Sequence, residues 1–338
     1  VQGKHIMVRQ LLNHTSGIYS FTSLPQSDDN ERRDLTHDQV LALIKDKPLD
    51  FEPGSQWRYD NSGFYIAGMI VERVTGEEYG AYLQEHIFKP LGMTASSLCD
   101  ARMVVPHLAS GYEVERGAFV NAAFLSWKLP FAAGSICSTA SDLVRWQTAM
   151  NGGHVIAPAS LTLMRTPTTL ADGASIDYGL GTRLGMLDGH RIAGHTGTGG
   201  GYASVMETFP DDHLTIVVLT NTGSGMQHAV SMARAIAREV LHLPAPPLRD
   251  LPVPNDERAA LIGRYESEEG PVEVFEGEGK LHFRIAGPGV EGTQQRQTAL
   301  VYAIDEDVEV RFLVRDGHAT WAQVYQDGLF ADAKRWVP

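Results

Sequence analysis

The chain has 338 residues, 43% of them hydrophobic, and a formal net charge of −13. That length suits two domains, each with a real core. The acidic balance excludes a nucleic-acid partner, which needs a basic face, and no run of about 18 apolar residues marks a membrane span.

The opening "VQGKHIMVRQLLNHTSGI" holds no signal-like apolar stretch and reads as the middle of something longer. His14, in "NHTSG", reads as part of a structural loop. In "LTHDQVLALI", Thr36 with Gln39 three residues on forms a capping box and predicts a helix. "FEPGSQWRYDNSGFYIAGMIVERVTG" places a Pro-Gly turn before a second helix. Phe64, Ala67, Val71 and Val74 share one face of that helix, Asn61 suits its N-cap, and Gly76 stops it. Trp57 and Phe64 read as core. "YGAYLQEHIFKPLG" continues as a helix closed near Pro90. The two cysteines, Cys99 and Cys137, read as buried free thiols, with one disulfide as the alternative; the count does not decide the redox compartment. "STASDLVRWQTAMNGG" pairs Thr139 with Asp142 as a further capping box.

Beyond it, "GHTGTGGGYASVMETFPDDHLTIVVLTN" sets His195 at the mouth of a glycine run and then gives two strands around a Pro-Asp-Asp turn. "MQHAVSMARAIAREVLHL" is a long amphipathic helix. Proline density from Leu243 to Pro254 marks a linker. Apolar and polar residues alternate in the tail, with hairpin turns at Asp316-Gly317 and Asp327-Gly328, so it reads as a small antiparallel β-barrel. The expected organisation is α+β: a first domain at 1–243, a linker at 244–254 and the barrel at 255–338.

The glycine run fits a dinucleotide loop poorly. Gly197 and Gly199 match, but the third glycine position is Tyr202, and no Gly-Lys-Ser/Thr follows any glycine-rich loop. The 13 histidines include no His-x-x-x-His pair after a glutamate, and no Cys-x-x-Cys occurs. No cofactor and no metal are expected.

Taken in order and spacing, "IMVRQLLNHTSGI", Tyr59-Asp60-Asn61, "AAGSICSTASDLVRW" and "YGLGTRLGMLDGHRIAGHTG", which ends in His195-Thr196-Gly197, resemble the serine β-lactamase and penicillin-binding-protein superfamily. More narrowly they are similar to the branch of class C β-lactamases, D-aminopeptidases and related esterases. The resemblance covers about Val8 to Leu241. The tail looks like the lipocalin-like barrels that follow this domain in some members. The resemblance implies an antiparallel sheet flanked by helices and acyl transfer through a serine whose proton goes to a lysine one helical turn later. It implies Tyr59 as the acid/base, Asn61 as the anchor of the substrate amide, and His195, Thr196 and Gly197 as a strand edge. Thr198 would offer an N–H to an oxyanion hole. The implied partner is a small-molecule or peptide substrate. By the same analogy the protein belongs in the periplasm or outside the cell.

No serine here has lysine three residues later, so the Ser-x-x-Lys motif is expected before Val1, in a longer protein or on a separate N-terminal segment. A histidine in the third motif titrates near about 6.5, where lysine stays charged. A neutral imidazole suits esters, amides or free-amine D-peptides better than carboxylate-bearing substrates, which favours an esterase or a D-aminopeptidase/carboxypeptidase-like enzyme over a true β-lactamase. The alternative from another class is a non-catalytic scaffold that binds peptides.

Overall fold

The computed structural model describes residues 5–25, 27–115, 118–223, 226–244, 249–267, 270–285, 290–304, 308–325 and 329–335. Two compact units emerge, Val1–Ala233 and Arg234–Pro338, divided within the helix Met226–Leu241. Residues 245–248 of the expected linker and the Asp327-Gly328 turn lie outside the described residues.

The first unit is α+β. Its main sheet is an antiparallel meander of β1 (Arg183–Leu187), β2 (His190–Gly199), β3 (Tyr202–Phe209) and β4 (Leu214–Thr220), in spatial order β4-β3-β2-β1. Gly199 pairs with Tyr202, so the β2–β3 turn is Gly200–Gly201, with φ of 59° and 81°. A two-residue hairpin with both central residues left-handed is the form that follows the twist of its strands, and glycine enters it without a Cβ clash. The Pro-Asp-Asp turn falls where it was expected, with Leu214 opposite Phe209. Helix Ala140–Asn151 packs on β4.

Helix α1 (Asn61–Thr75) positions the site. Its N-cap is Asp60 rather than Asn61. The Asp60 carboxylate accepts from the main-chain N–H of Ser62 (2.7 Å) and Gly63 (3.1 Å), which leaves Asn61 as the first helical residue. Gly76, at φ 75°, ends the helix as expected. The buried face also differs from the expected one. Val74 is 78% exposed, while Ser62, Tyr65 and Gly68 are buried. Apolar residues surround this helix, so the neighbour decides the face. Gly68 lies against the turn Phe131–Ala133, where an added Cβ would stand 2.4 Å from the Cβ of Ala132. Tyr65 packs on Phe21 and Phe131.

The Thr36–Gln39 capping box is complete on helix His37–Ile44. Thr139 caps Ala140–Asn151, but Asp142 does not return the bond; its carboxylate takes the Ala95 N–H, the Ser96 hydroxyl and Arg145. The helix after α1 runs as one α stretch, Tyr79–Leu83, and then a π turn, Gln84–Phe88. Cys99 and Cys137 form a disulfide rather than two free thiols. Ser97 and Leu98 pair with Cys137 and Ile136 in a short antiparallel ladder, and this brings the two cysteine Cα atoms to 5.3 Å, within bonding reach.

The second unit is one antiparallel sheet of nine strands: β5 (Gly263–Ser267), β6 (Gly270–Gly277), β7 (Lys280–Ile285), β8 (Val290–Thr293), β9 (Gln295–Thr298), β10 (Val301–Ala303), β11 (Glu309–Arg315), β12 (His318–Tyr325) and β13 (Leu329–Arg335). Their spatial order is β8-β7-β6-β5-β13-β12-β11-β10-β9. Alternate residues such as Val272, Val274, Leu281, Phe283, Val310 and Phe312 point to one buried core. Asp316 and Gly317 have φ of 52° and 77°, the hairpin geometry that an Asp-Gly pair predicts.

Candidate active site

Three distant segments meet beside β2. The first is the "NHTSG" loop. His14 has φ 58°, in the left-handed region, and Gly17 has φ 73° with the carbonyl oxygen of Phe51 where its Cβ would be, at 2.1 Å. Main-chain bonds from Asp50 N–H to Gly17, Gly54 N–H to Thr15 and Arg58 N–H to His14 tie this loop to the stretch before α1. That stretch carries Trp57 and Tyr59 against His14, with ring centroids at 5.9 and 4.3 Å. The second segment brings in Tyr178, and the third is β2 with His195.

Hydrogen bonds link these groups. His14 Nδ1 receives the main-chain N–H of Asp60 at 3.0 Å. His14 Nε2 lies 3.0 Å from the Tyr178 hydroxyl, which lies 3.0 Å from His195 Nε2. His195 Nδ1 is 2.6 Å from the carbonyl oxygen of Thr196. Tyr59 stacks beside this line, 5.9 Å from the His195 ring, and the Arg183 guanidinium stands 6.0 Å from the Tyr59 ring centre.

The electrostatics follow from burial. Desolvation, then the Arg183 charge, hold His195 down at about 4. Desolvation, then His195 and Arg183, hold His14 well below the ordinary histidine range. Desolvation, then Tyr59, push the Tyr178 phenol up. Burial pushes the Asp60 carboxyl up to about 7 against bonds from Ser62, Ser16 and Gly63.

A cavity of about 360 Å³ lies at the start of α1 and the far end of β2, lined by Thr22, Asn61, Trp127, Glu113 and the Thr198–Gly201 stretch among others. The Asn61 amide N–H donates to the Thr22 hydroxyl at 3.2 Å. Strand β1 pairs with β2 only as far as Gly194, so His195–Gly199 are laddered to β3 alone. Gly194 has its own reason: an added Cβ would sit 2.2 Å from the carbonyl oxygen of Met206 on β3.

Of the residues singled out in the sequence, Tyr59 and His195 lie side by side, and Asn61 and Thr198 face one cavity. Thr196 and Gly197 follow on the same strand. Opposite Gly197 is Ser204, whose hydroxyl donates to the Gly197 carbonyl at 3.3 Å. Trp57 is buried as core. His14 is part of the cluster rather than only a loop residue, and Tyr178 and Arg183, both in the stretch before His195 that carries the resemblance, had been given no role. A signal existed for His14, since a histidine before Thr-Ser-Gly in a tight turn is a candidate for left-handed backbone. Tyr178 opens the Tyr-Gly-Leu-Gly stretch, but nothing local says what its hydroxyl would meet. Among the described residues, no group of three or more His, Cys, Asp or Glu side chains could hold a metal ion, and no helix is long and apolar enough to cross a membrane.

Residues 1–241 match the family model described as Beta-lactamase, and the chain belongs to that family. Penicillin-binding protein 4 of Amycolatopsis lactamdurans is 29% identical over 288 residues, covering 78% of this chain and 73% of the relative. A D-aminopeptidase of Brucella anthropi is 27% identical over 222 residues, covering 64% of this chain and 42% of the relative, so the chain spans less than half of that protein. The crystal structure of a D-stereospecific amidohydrolase from Streptomyces sp. superimposes with a TM-score of 0.57 at 29% identity, covering 64% of this chain and 68% of that one. The chain is therefore of the serine-hydrolase type.

Proposed function

We propose that this chain supplies the acid/base and substrate-holding half of an acyl-transfer site acting on amide, peptide or ester substrates, in the manner of an esterase or a D-aminopeptidase/carboxypeptidase-like enzyme. A Ser-x-x-Lys segment upstream of Val1 supplies the nucleophile and its base. The serine oxygen attacks the substrate carbonyl and its proton passes to the lysine. Tyr59 then returns a proton to the leaving group, and water releases the acyl group. Asn61 holds the substrate amide in the cavity, and the half-laddered His195–Gly199 edge, with the Thr198 N–H, lies along the acyl group. The observation that carries this reading is the approach of Tyr59 to within 5.9 Å of His195, with Asn61 and Thr198 lining one cavity alongside.

The neutral state of His195 favours substrates without a carboxylate at that edge. A carboxylate-bearing substrate, as for a true β-lactamase, is the second reading; it is favoured by the fixed charge of Arg183 beside Tyr59. The nine-stranded sheet supports a closed barrel, because its first and last strands in spatial order, β8 and β9, are consecutive in the chain with Gln294 alone between them. The linker at 244–254 would then separate a domain at 1–243 from that barrel.

Fluorophosphonate labelling of the longest natural form that contains this chain tests the function. Covalent attachment to a serine before Val1 is expected, and Tyr59→Phe should lower turnover at least 100-fold. No attachment to the folded protein would leave the peptide-binding scaffold as the correct reading.

A further inference from the structure

The cluster beside β2 contains a line of four hydrogen bonds, and main-chain groups terminate both ends. At one end is the Asp60 N–H, which can only donate, and at the other the Thr196 carbonyl, which can only accept. Fixed ends determine every proton between them. His14 Nδ1 accepts, so the proton of neutral His14 sits on Nε2 and goes to the Tyr178 oxygen. The Tyr178 O–H then donates to His195 Nε2, and His195 Nδ1–H donates to Thr196.

We propose that His14 and Tyr178 are positioning residues of this site: together they hold His195 as the neutral imidazole protonated on Nδ1, with its Nε2 lone pair occupied by the Tyr178 hydroxyl.

The two histidines thus carry opposite tautomers. A second proton on His195 would set its Nε2–H and that of His14 against one oxygen and turn out the buried Tyr178 hydroxyl proton. A second proton on His14 would face the Asp60 N–H directly. The other groups around the line are Arg183, whose charge also opposes protonation, and the Tyr59 phenol. His195 therefore brings neither a charge nor an unoccupied basic nitrogen to substrate. It shapes the strand edge, and the proton transfers fall to other groups. The inference rests on the site reading above, but its first test needs no turnover.

That test is nitrogen NMR of the chain labelled with ¹⁵N-histidine, between pH 5.5 and 8, with the two rings assigned through His14→Gln and His195→Gln. The expected result is a proton on Nε2 of His14 and on Nδ1 of His195, with neither ring titrating. Tyr178→Phe keeps the aromatic packing and removes the hydroxyl, so it should move the Nε2 signals of both rings. A purely space-filling tyrosine would leave them in place. A proton on His195 Nε2, either ring charged at pH 6, or unmoved signals in the variant would each overturn the proposal. Should the variant not fold, the wild-type tautomers decide alone. In an acylating full-length form, Tyr178→Phe should lower kcat about tenfold with KM within about twofold, and an unchanged kcat would remove the positioning role. The hydrolase reading can fail by labelling while the tautomer pattern holds, so the two failures are distinguishable.

Discussion

Asp60→Asn should make the stability of the first unit depend more steeply on pH, because it removes the titration that opposes those of two buried histidines. Burial and Arg183 hold His195 at about 4 in the folded chain, against about 6.5 when unfolded. Below pH 6.5 the unfolded chain takes up a proton that folded His195 refuses, so stability is lost as the pH falls from about 6.5 through about 4. That difference corresponds to about 3 kcal/mol. His14 is lowered as well and acts in the same direction. Asp60 acts in the opposite direction. Its folded carboxyl titrates at about 7 against 3.8 unfolded, so its contribution is complete below pH 3.8 and lost as the pH rises through about 7. This corresponds to about 4 kcal/mol. In the wild type Asp60 therefore offsets about one of the two histidines between pH 4 and 6.5. Asparagine keeps one of the two capping oxygens and removes the titration; the bond it loses is a constant offset that leaves the slope with pH unchanged. Between pH 4 and 6.5 the variant should therefore gain about 3 kcal/mol more than the wild type does. Urea unfolding at half-unit pH steps measures this, followed by the fluorescence of Trp57, which is buried against Tyr178 and His14. Titrations elsewhere cancel in the difference between the two proteins. Parallel profiles for variant and wild type would refute the reasoning.

Gly194→Ala should destabilise by about 3 kcal/mol in denaturant melts, since its Cβ meets the β3 main chain at 2.2 Å, whereas Gly199→Ala meets only Leu125 at 3.6 Å and should stay within about 0.5 kcal/mol. Replacing Cys99 and Cys137 together by serine, which opens a link across 38 residues of sequence, should cost up to about 4 kcal/mol, measured as the loss of unfolding free energy under oxidising conditions. In a full-length form, His195→Lys should raise turnover of carboxylate-bearing substrates relative to neutral esters; an unchanged ratio of kcat/KM values would show that Arg183 already sets the charge of the site.

What the sequence settled alone was chiefly local. The Thr36 box, the Gly76 stop, the Pro-Asp-Asp turn and the Asp316-Gly317 hairpin were legible because each depends on backbone conformations available to a few adjacent residues. Tyr59, Asn61 and His195 were legible through the order of their motifs. The chain fold decided the rest. The buried face of α1 was settled by the close seat of Gly68 on Phe131–Ala133, and the cap by whichever of Asp60 and Asn61 turned back to the Ser62 and Gly63 N–H groups. The disulfide needed a long-range antiparallel pairing that brings residues 38 apart together. The role of Tyr178 was not legible although its stretch was, since that role lies in touching His14, 164 positions away, and His195, 17 positions away. Proton positions in such a line are set by which groups meet, and that is a property of folded space rather than of neighbouring letters.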